Sequence, residues 1–185
     1  MEIVYYYEGL PHTGGIWDME NDYYMEASVK DGRLHGLKRE FYSSNFSNRP
    51  MMFEGNYQNG KPDGFHQKWY RNGQLEYEAN YNNGLPYGLV RKWYENGQLK
   101  MKGNYHLDHI AYGLWQYWYE NGQLEQQFTA KDNELEGLKQ RWYENGQLRS
   151  EGTYKDGKKE GLYREWDENG TLIEQSNWKD GERID

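Results

Sequence analysis

The sequence predicts an all-β fold: an elongated, single-layer antiparallel β-meander built from tandem hairpin repeats of about 24 residues. Two recurrences and one periodicity carry that prediction. Asn-Gly pairs fall at Asn72, Asn96, Asn121, Asn145 and Asn169, in steps of 24, 25, 24 and 24 residues. A glycine followed by Leu or Phe recurs in phase at Gly64, Gly88, Gly113, Gly137 and Gly161. Between these marks the side chains alternate with period two, as strands do.

One unit shows how each element follows. Leu89, Arg91 and Trp93 share one side of a first strand, with Val90, Lys92 and Tyr94 on the other. A second strand carries Leu99, Met101, Gly103 and Tyr105 on one side. Asn-Gly between two such runs signals a hairpin. A three-residue Glu95-Asn96-Gly97 loop, a type I turn with the glycine in the left-handed position forming a bulge, pairs Trp93 with Leu99, Arg91 with Met101 and Leu89 with Gly103. That register gathers the apolar set on one face, and a one-residue slip would scatter it. The second turn, as in Tyr81-Asn82-Asn83-Gly84-Leu85, is expected to be another three-residue loop, pairing Tyr81 with Leu85 and Tyr77 with Leu89. The in-phase Gly55, Gly103 and Gly152 (Ala79 in one unit) weaken a strand unless a large group crosses them. They are expected to make room for a neighbouring Trp or Tyr ring.

A single unit cannot fold alone. Burying one Trp side chain of ~200 Å² gives roughly 5 kcal/mol at best. Ordering two dozen residues costs tens of kcal/mol at about 1–2 kcal/mol each. Each hairpin therefore has to stack on the next.

Residues 1–35 are the least regular: a strand over residues 2–8, an acidic loop from Asp18 to Asp22, and fragments of a degenerate unit at Gly15–Trp17 and Ala27–Gly32. Residues 36–185 are read as one continuous run of repeats. Phe41 takes the Trp place, and the turn after it is lengthened through Ser43–Pro50. His106–Tyr112 carries an extra residue that should spoil its turn. Phe128 and Ala130 stand where Gly and Tyr are usual, which suggests a shifted pairing. The charged end, Lys179–Asp185, would blunt a sheet edge.

Composition narrows the class. Hydrophobic residues are 35% and mean hydropathy is −1.28, low for a packed globule, while aromatics reach 17% with 19 Tyr and 8 Trp. Rings that bury area yet keep polar atoms for water suit a thin sheet and not a disordered chain. With no cysteine there is no disulfide or thiolate site. Met1–Glu8 has neither a basic region nor an apolar run, so no signal peptide is read in it, and a cytoplasmic location is expected. The net charge of −8 argues against nucleic acid or an anionic membrane as partner and is compatible with a basic one.

Tyr94-Glu95-Asn96-Gly97-Gln98-Leu99 with Gly103-Asn104-Tyr105, and Tyr143–Leu148 with Gly152-Thr153-Tyr154, resemble the bacterial variant of the MORN repeat, over about residues 29–185. The motif is specific for fold and weak for function, because repeats are scaffolds. Many bacterial members resemble antitoxin or immunity proteins of the YwqK type, paired with polymorphic toxins. Eukaryotic relatives are linked to membrane junctions and phosphoinositide kinases. The acidic balance of this chain is closer to the first branch.

Chemistry is sparse. His106, Asp108 and His109 lie close together, but two histidines in a loop without a third in-phase ligand read as a polar insertion, so no metal is expected. Glu134 with Glu136, and Asp167 with Glu168, occupy variable, solvated places and are not read as acid/base pairs. No nucleophile elbow, Walker or dinucleotide motif is present, so no cofactor and no enzymatic activity are expected. The Trp69, Trp93, Trp118, Trp142 and Trp166 series is read as the sheet's own apolar face rather than a ligand platform. The expected function is non-catalytic: occlusion of a cognate, basic protein toxin, by a chain that is monomeric or weakly self-associating. A structural scaffold without a toxin is the alternative. Specificity should sit where the repeat is broken, at Trp17, Asp18, Glu20, Asp22, Phe46, Arg49, His106, Asp108, His109 and Tyr112.

Overall fold

The Tyr-Glu-Asn-Gly-Gln segments close their hairpins in one way. The Tyr94 N–H donates to Gln98 O at 2.9 Å, the Gly97 N–H donates to Tyr94 O at 2.9 Å, and Gly97 has φ +86°. This is the expected three-residue loop with its last residue left-handed, a conformation glycine adopts without strain. The Asn96 side chain fixes it, Oδ1 accepting the Gln98 N–H at 2.9 Å.

The computed structural model describes residues 14–18, 23–42 and 50–185, with side chains from Met25 on. The chain divides into two compact units, one up to Tyr87 and one from Gly88. The first holds β1 (Gly14–Asp18), β2 (Tyr23–Lys30), β3 (Arg33–Tyr42), β4 (Met51–Gln58), β5 (Lys61–Trp69) and β6 (Leu75–Asn82). Strand β7 (Leu85–Trp93) leads into the second, which continues with β8 (Leu99–Tyr105), β9 (Ala111–Trp118), β10 (Leu124–Lys131), β11 (Glu134–Trp142), β12 (Leu148–Lys155), β13 (Lys158–Trp166), β14 (Leu172–Lys179) and β15 (Glu182–Arg183). Within each unit the strands lie side by side in chain order, each antiparallel to the next. The fold is the all-β hairpin meander expected. The strand expected over residues 2–8 lies outside the described residues, as does the core of the lengthened turn, residues 43–49. Its closing bond, Tyr42 N–H to Pro50 O at 2.9 Å, matches that of the regular turns.

The register departs from expectation one step beyond the turn. Trp93 pairs with Leu99, but Lys92 then pairs with Met101, Arg91 with Lys102, Val90 with Gly103 and Leu89 with Asn104. Lys100 is the extra residue of a bulge. The same shift occurs at Glu40/Phe41, Lys68/Trp69, Leu124/Gln126, Arg141/Trp142 and Glu165/Trp166. A bulge reverses the parity of the strand beyond it. Met101, Gly103 and Tyr105 therefore share a face with Val90 and Lys92, and not with Leu89, Arg91 and Trp93.

The second turn is also shorter than expected. Gln58 pairs with Lys61 across Asn59-Gly60, and Lys155 pairs with Lys158 across Asp156-Gly157. Both turn residues have positive φ (53° and 82°, 48° and 75°), the two-residue type I′ geometry whose twist matches the flanking strands. Asn83 and Gly84 have the same signature, 50° and 94°. After this turn the strand takes two further unmatched residues, between Tyr57↔Pro62 and Gly55↔His66. Gly64 sits there at φ +96°, a conformation closed to other residues without strain. The kink brings each such segment under the next turn: Gly157 N–H reaches Leu135 O and Gly181 N–H reaches Lys159 O, both at 3.0 Å.

Two faces result. On the leucine face, Leu89, Leu114, Leu138 and Leu162 stay 39–49% exposed. The hairpin tryptophans lie on this face with cations across them: the Arg91 guanidinium is 5.8 Å from the Trp93 ring and Lys102 Nζ is 5.7 Å from that of Trp118. Between these rows runs a chain of side-chain bonds, Gln116–Gln127 (3.1 Å), Gln127–Gln140 (3.0 Å), Gln140–Glu151 (3.3 Å) and Glu151–Arg164 (3.1 Å). The opposite, ring face holds most of the buried residues, among them Val90, Met101, Trp115, Ala130 and, in the first unit, His66 and Ala79. Burial in so thin a sheet comes from rings lying across small residues. A Cβ on Gly103 would meet the Trp115 ring, and one on Gly152 would stand 2.8 Å from Tyr163. The expected role of these glycines holds, although the indoles of the hairpin series are on the other face.

Successive hairpins are tied at their turns. Tyr94 Oη donates to Trp118 O at 2.8 Å and Asn96 Nδ2 to Glu120 O at 2.8 Å. Tyr119 and Asn121, then Tyr143 and Asn145, repeat both bonds one unit on, each at 2.9 Å. Asp167 replaces the tyrosine in the last such turn, and its carboxylate accepts the Asn169 and Thr171 N–H groups instead. At the charged end, Asp185 accepts the Asn177 N–H at 2.9 Å.

Candidate partner-binding site

The sequence between Tyr105 and Tyr112 breaks the repeat, and the structure shows how. The His106 N–H donates to Ile110 O at 2.8 Å, the His109 N–H donates to His106 O at 3.0 Å, and His109 has φ +60°. The expected spoiled turn is a well-formed three-residue loop, with His109 in the left-handed place that glycine fills elsewhere. The extra residue converts a two-residue turn into the longer type. Rings hold it from both sides: His106 stacks on Tyr112 at 3.8 Å between centroids, and His109 on Tyr105 at 4.5 Å.

Tyr105 leads into a cavity of about 220 Å³ on the ring face, walled by Tyr105, Trp115, Tyr117 and Phe128, with Asn133 and Glu134 at its polar side. Each wall has a local cause. Trp115 leans over Gly103 and meets Tyr105 edge-on at 5.1 Å. That displacement leaves space for Phe128, which pairs with Trp115 and stacks on Tyr117 at 6.1 Å. Pairing around Phe128 keeps the register of the other units, with Gln126 opposite Tyr117 and Ala130 opposite Gly113; the expected shift is absent. Ala130, small and buried, leaves the cavity open where other units place a tyrosine. Asn133 anchors the turn alongside, its Oδ1 accepting the Ala111 N–H at 2.7 Å.

Burial is the main electrostatic influence here. It raises the Tyr117 phenol, with help from the neighbouring Tyr105 and Glu125, and keeps it protonated. On β11 burial lowers the Lys139 ammonium, and the nearby Arg141 adds to the effect. A second cavity of about 250 Å³, near Tyr119, mixes Glu125 with Arg141 and Arg149. Among the described residues no group of three or more His, Asp or Glu side chains could hold a metal ion.

Of the residues singled out in the sequence, His106, Asp108, His109 and Tyr112 fall together on the Tyr105–Tyr112 turn. Trp17 and Asp18 lie in β1, with side chains outside the description, and Glu20, Asp22, Phe46 and Arg49 lie outside the described residues. Sequence reasoning missed the walls Tyr105, Trp115 and Tyr117, and it read Phe128 and Ala130 only as an irregularity of pairing. The signal was available: Trp115 stands two residues after its glycine, where other units have Lys38, His66, Val90, Lys139 and Tyr163.

Five consecutive segments, residues 62–83, 86–106, 111–132, 135–156 and 159–180, match the model of the MORN repeat variant. The same hairpin geometry extends upstream of them through β2 to β4. No curated protein matches the chain.

Proposed function

This chain belongs to the MORN repeat variant family, and from that premise we propose that it is a non-catalytic protein-binding protein: an immunity or antitoxin protein that neutralises a cognate, basic toxin in the cytoplasm by covering it. Such repeats generally bind proteins or membranes. The observation that carries the reading is the row of half-exposed leucines, Leu89, Leu114, Leu138 and Leu162, on the face that also carries the hairpin tryptophans, in a single-layer sheet whose opposite face holds most of the buried residues. Apolar side chains repeated along one face offer a binding surface larger than scattered exposed residues would. The acidic balance favours a basic partner and opposes anionic lipid.

The test is co-expression with the product of the adjacent open reading frame. A stable complex and rescue from its toxicity are the expected results. No complex and no rescue would remove the toxin reading. A stable homo-oligomer in solution, with no toxin nearby, would replace it with the self-associating scaffold that the leucine row also suits.

A further inference from the structure

The ring face repeatedly lays the chain's own ammonium groups on aromatic rings. Lys38 Nζ is 5.7 Å from the Phe53 ring centre and 6.0 Å from that of Tyr57. Lys139 Nζ is 5.6 Å from Phe128 and 5.9 Å from Tyr154, and Lys159 Nζ is 3.6 Å from Tyr163 and 4.2 Å from Trp178. Lys38 and Lys139 occupy the same place in their units, two residues after the kink glycine. In the unit that begins at Gly113 that place belongs to Trp115. Relative to the two lysine-bearing units this exchanges an internal cation for a ring, and the cavity of about 220 Å³ opens there.

Its walls suit what the lysine-bearing units, one of them next in the chain, already hold. Tyr105, Trp115, Tyr117 and Phe128 surround it, Glu134 stands on its polar side, and no Lys or Arg lines it. The faces of such rings carry negative potential and attract a cation within about 6 Å. A lysine can bury its methylene stem against the rings while its head stays near a carboxylate. No cation lines the cavity to receive an anion, although one wall, Phe128, already carries the Lys139 ammonium at 5.6 Å; the rings left to an incoming cation are Tyr105, Trp115 and Tyr117. We infer that this cavity takes the ammonium end of a lysine side chain presented by a basic protein partner. The inference rests on the binding reading above and specifies the chemistry of its partner. The net charge of −8 supplies the long-range attraction that brings such a segment in.

The test is a titration of the ¹⁵N-labelled full chain, following the Trp115 indole N–H resonance, assigned with Trp115→Phe. Three probes are compared: an acetylated, amidated Gly-Lys-Gly peptide, its norleucine counterpart, and choline. The lysine peptide should move the resonance saturably and the norleucine peptide should not. Glu134→Gln, at the exposed start of β11, should weaken the lysine peptide several-fold with the thermal unfolding midpoint unchanged. Equal shifts from norleucine would make the cavity merely apolar and overturn the proposal. Saturation by choline at lower concentration than by the lysine peptide would overturn the choice of lysine, and silence from all three would overturn the site. The titration needs no toxin. Failure here beside a positive co-expression result rejects the cavity alone, and the reverse outcome rejects only the toxin reading.

Discussion

The indole of Trp115 lies over the α-carbon of Gly103, in the space a Cβ would need. The two residues are on neighbouring strands, β8 and β9, and the glycine is what allows this indole to lie against the backbone and reach 5% exposure. Gly103→Ala should therefore displace the ring and cost about 1–3 kcal/mol, the usual penalty for forcing an extra carbon into a packed site. Gly88→Ala provides a contrast. Nothing lies within 4 Å of its Cβ position, and its cost comes from φ +68° alone, roughly 1–2 kcal/mol. Chemical denaturation of both variants checks the magnitudes. Only Gly103→Ala should also move the Trp115 indole resonance.

The turn-to-turn bonds predict a repeating energetic term. Tyr94→Phe removes the hydroxyl that donates to Trp118 O and should cost about 0.5–1.5 kcal/mol. Asn96→Asp keeps an Oδ1 to accept the Gln98 N–H and loses the donor to Glu120 O. It should cost about as much, without opening its own turn. A double-mutant cycle of the two changes should show coupling, since both bonds hold the same pair of hairpins. An additive result would mean the two bonds act independently.

Much of the fold was legible because turn chemistry is local. Glu95-Asn96-Gly97 states its loop length and its left-handed glycine in residue types alone, and Gly103 announces a crossing ring. The bulge at Lys100 has no such mark. Any residue can occupy it, and period two inside a strand does not reveal that the count slips next to the turn. Placing the bulge at the Gly97 turn and none at Lys100 forced a three-residue second turn to keep the apolar set together, so one omission produced two errors. The same error hid the cavity. Tyr105, Trp115 and Phe128 come from three strands and meet only if Tyr105 shares a face with Val90, not with Leu89. His106, Asp108, His109 and Tyr112 could be singled out as one turn because an insertion is visible in the spacing of the repeat itself.

His66 makes the first unit acid-sensitive. Its ring is packed among Phe53, Tyr57 and Tyr81, with Nε2–H donating to Asn56 O at 2.7 Å. Burial pushes its pKa below the usual histidine value, the bond to Asn56 opposes that, and the positive charge of Lys38 adds to it. The neutral ring is thus the form that packs, and the unfolded chain binds the proton more readily. Stability should be complete above about pH 6.5 and fall as pH drops through that value toward the lower native one. His66→Val, the residue type found at the equivalent Val90, should flatten this dependence. Urea midpoints near pH ~7.5 and ~5 for both proteins decide it, and parallel losses would assign the effect to other groups.

Alkali should act through the tyrosines. Tyr57, Tyr94, Tyr117, Tyr119, Tyr154 and Tyr163 are all shifted upward, burial being the largest cause for each. Glu40 adds to it at Tyr57, Glu125 at Tyr94 and Tyr119, and Arg141 opposes it at Tyr154. In the folded chain these phenols hold their protons beyond the pH at which free tyrosine ionises, so the native state binds more protons there. Their contribution is fully present below about pH 10 and is lost as pH rises through the native values. Tyrosinate absorbance should therefore lag the free-tyrosine curve and then rise together with loss of the β-sheet circular dichroism signal. Tyr117→Phe removes one such group with its ring retained and should move that joint transition to higher pH. An ionisation curve that climbs while the sheet signal stays constant would show these hydroxyls reaching solvent without unfolding.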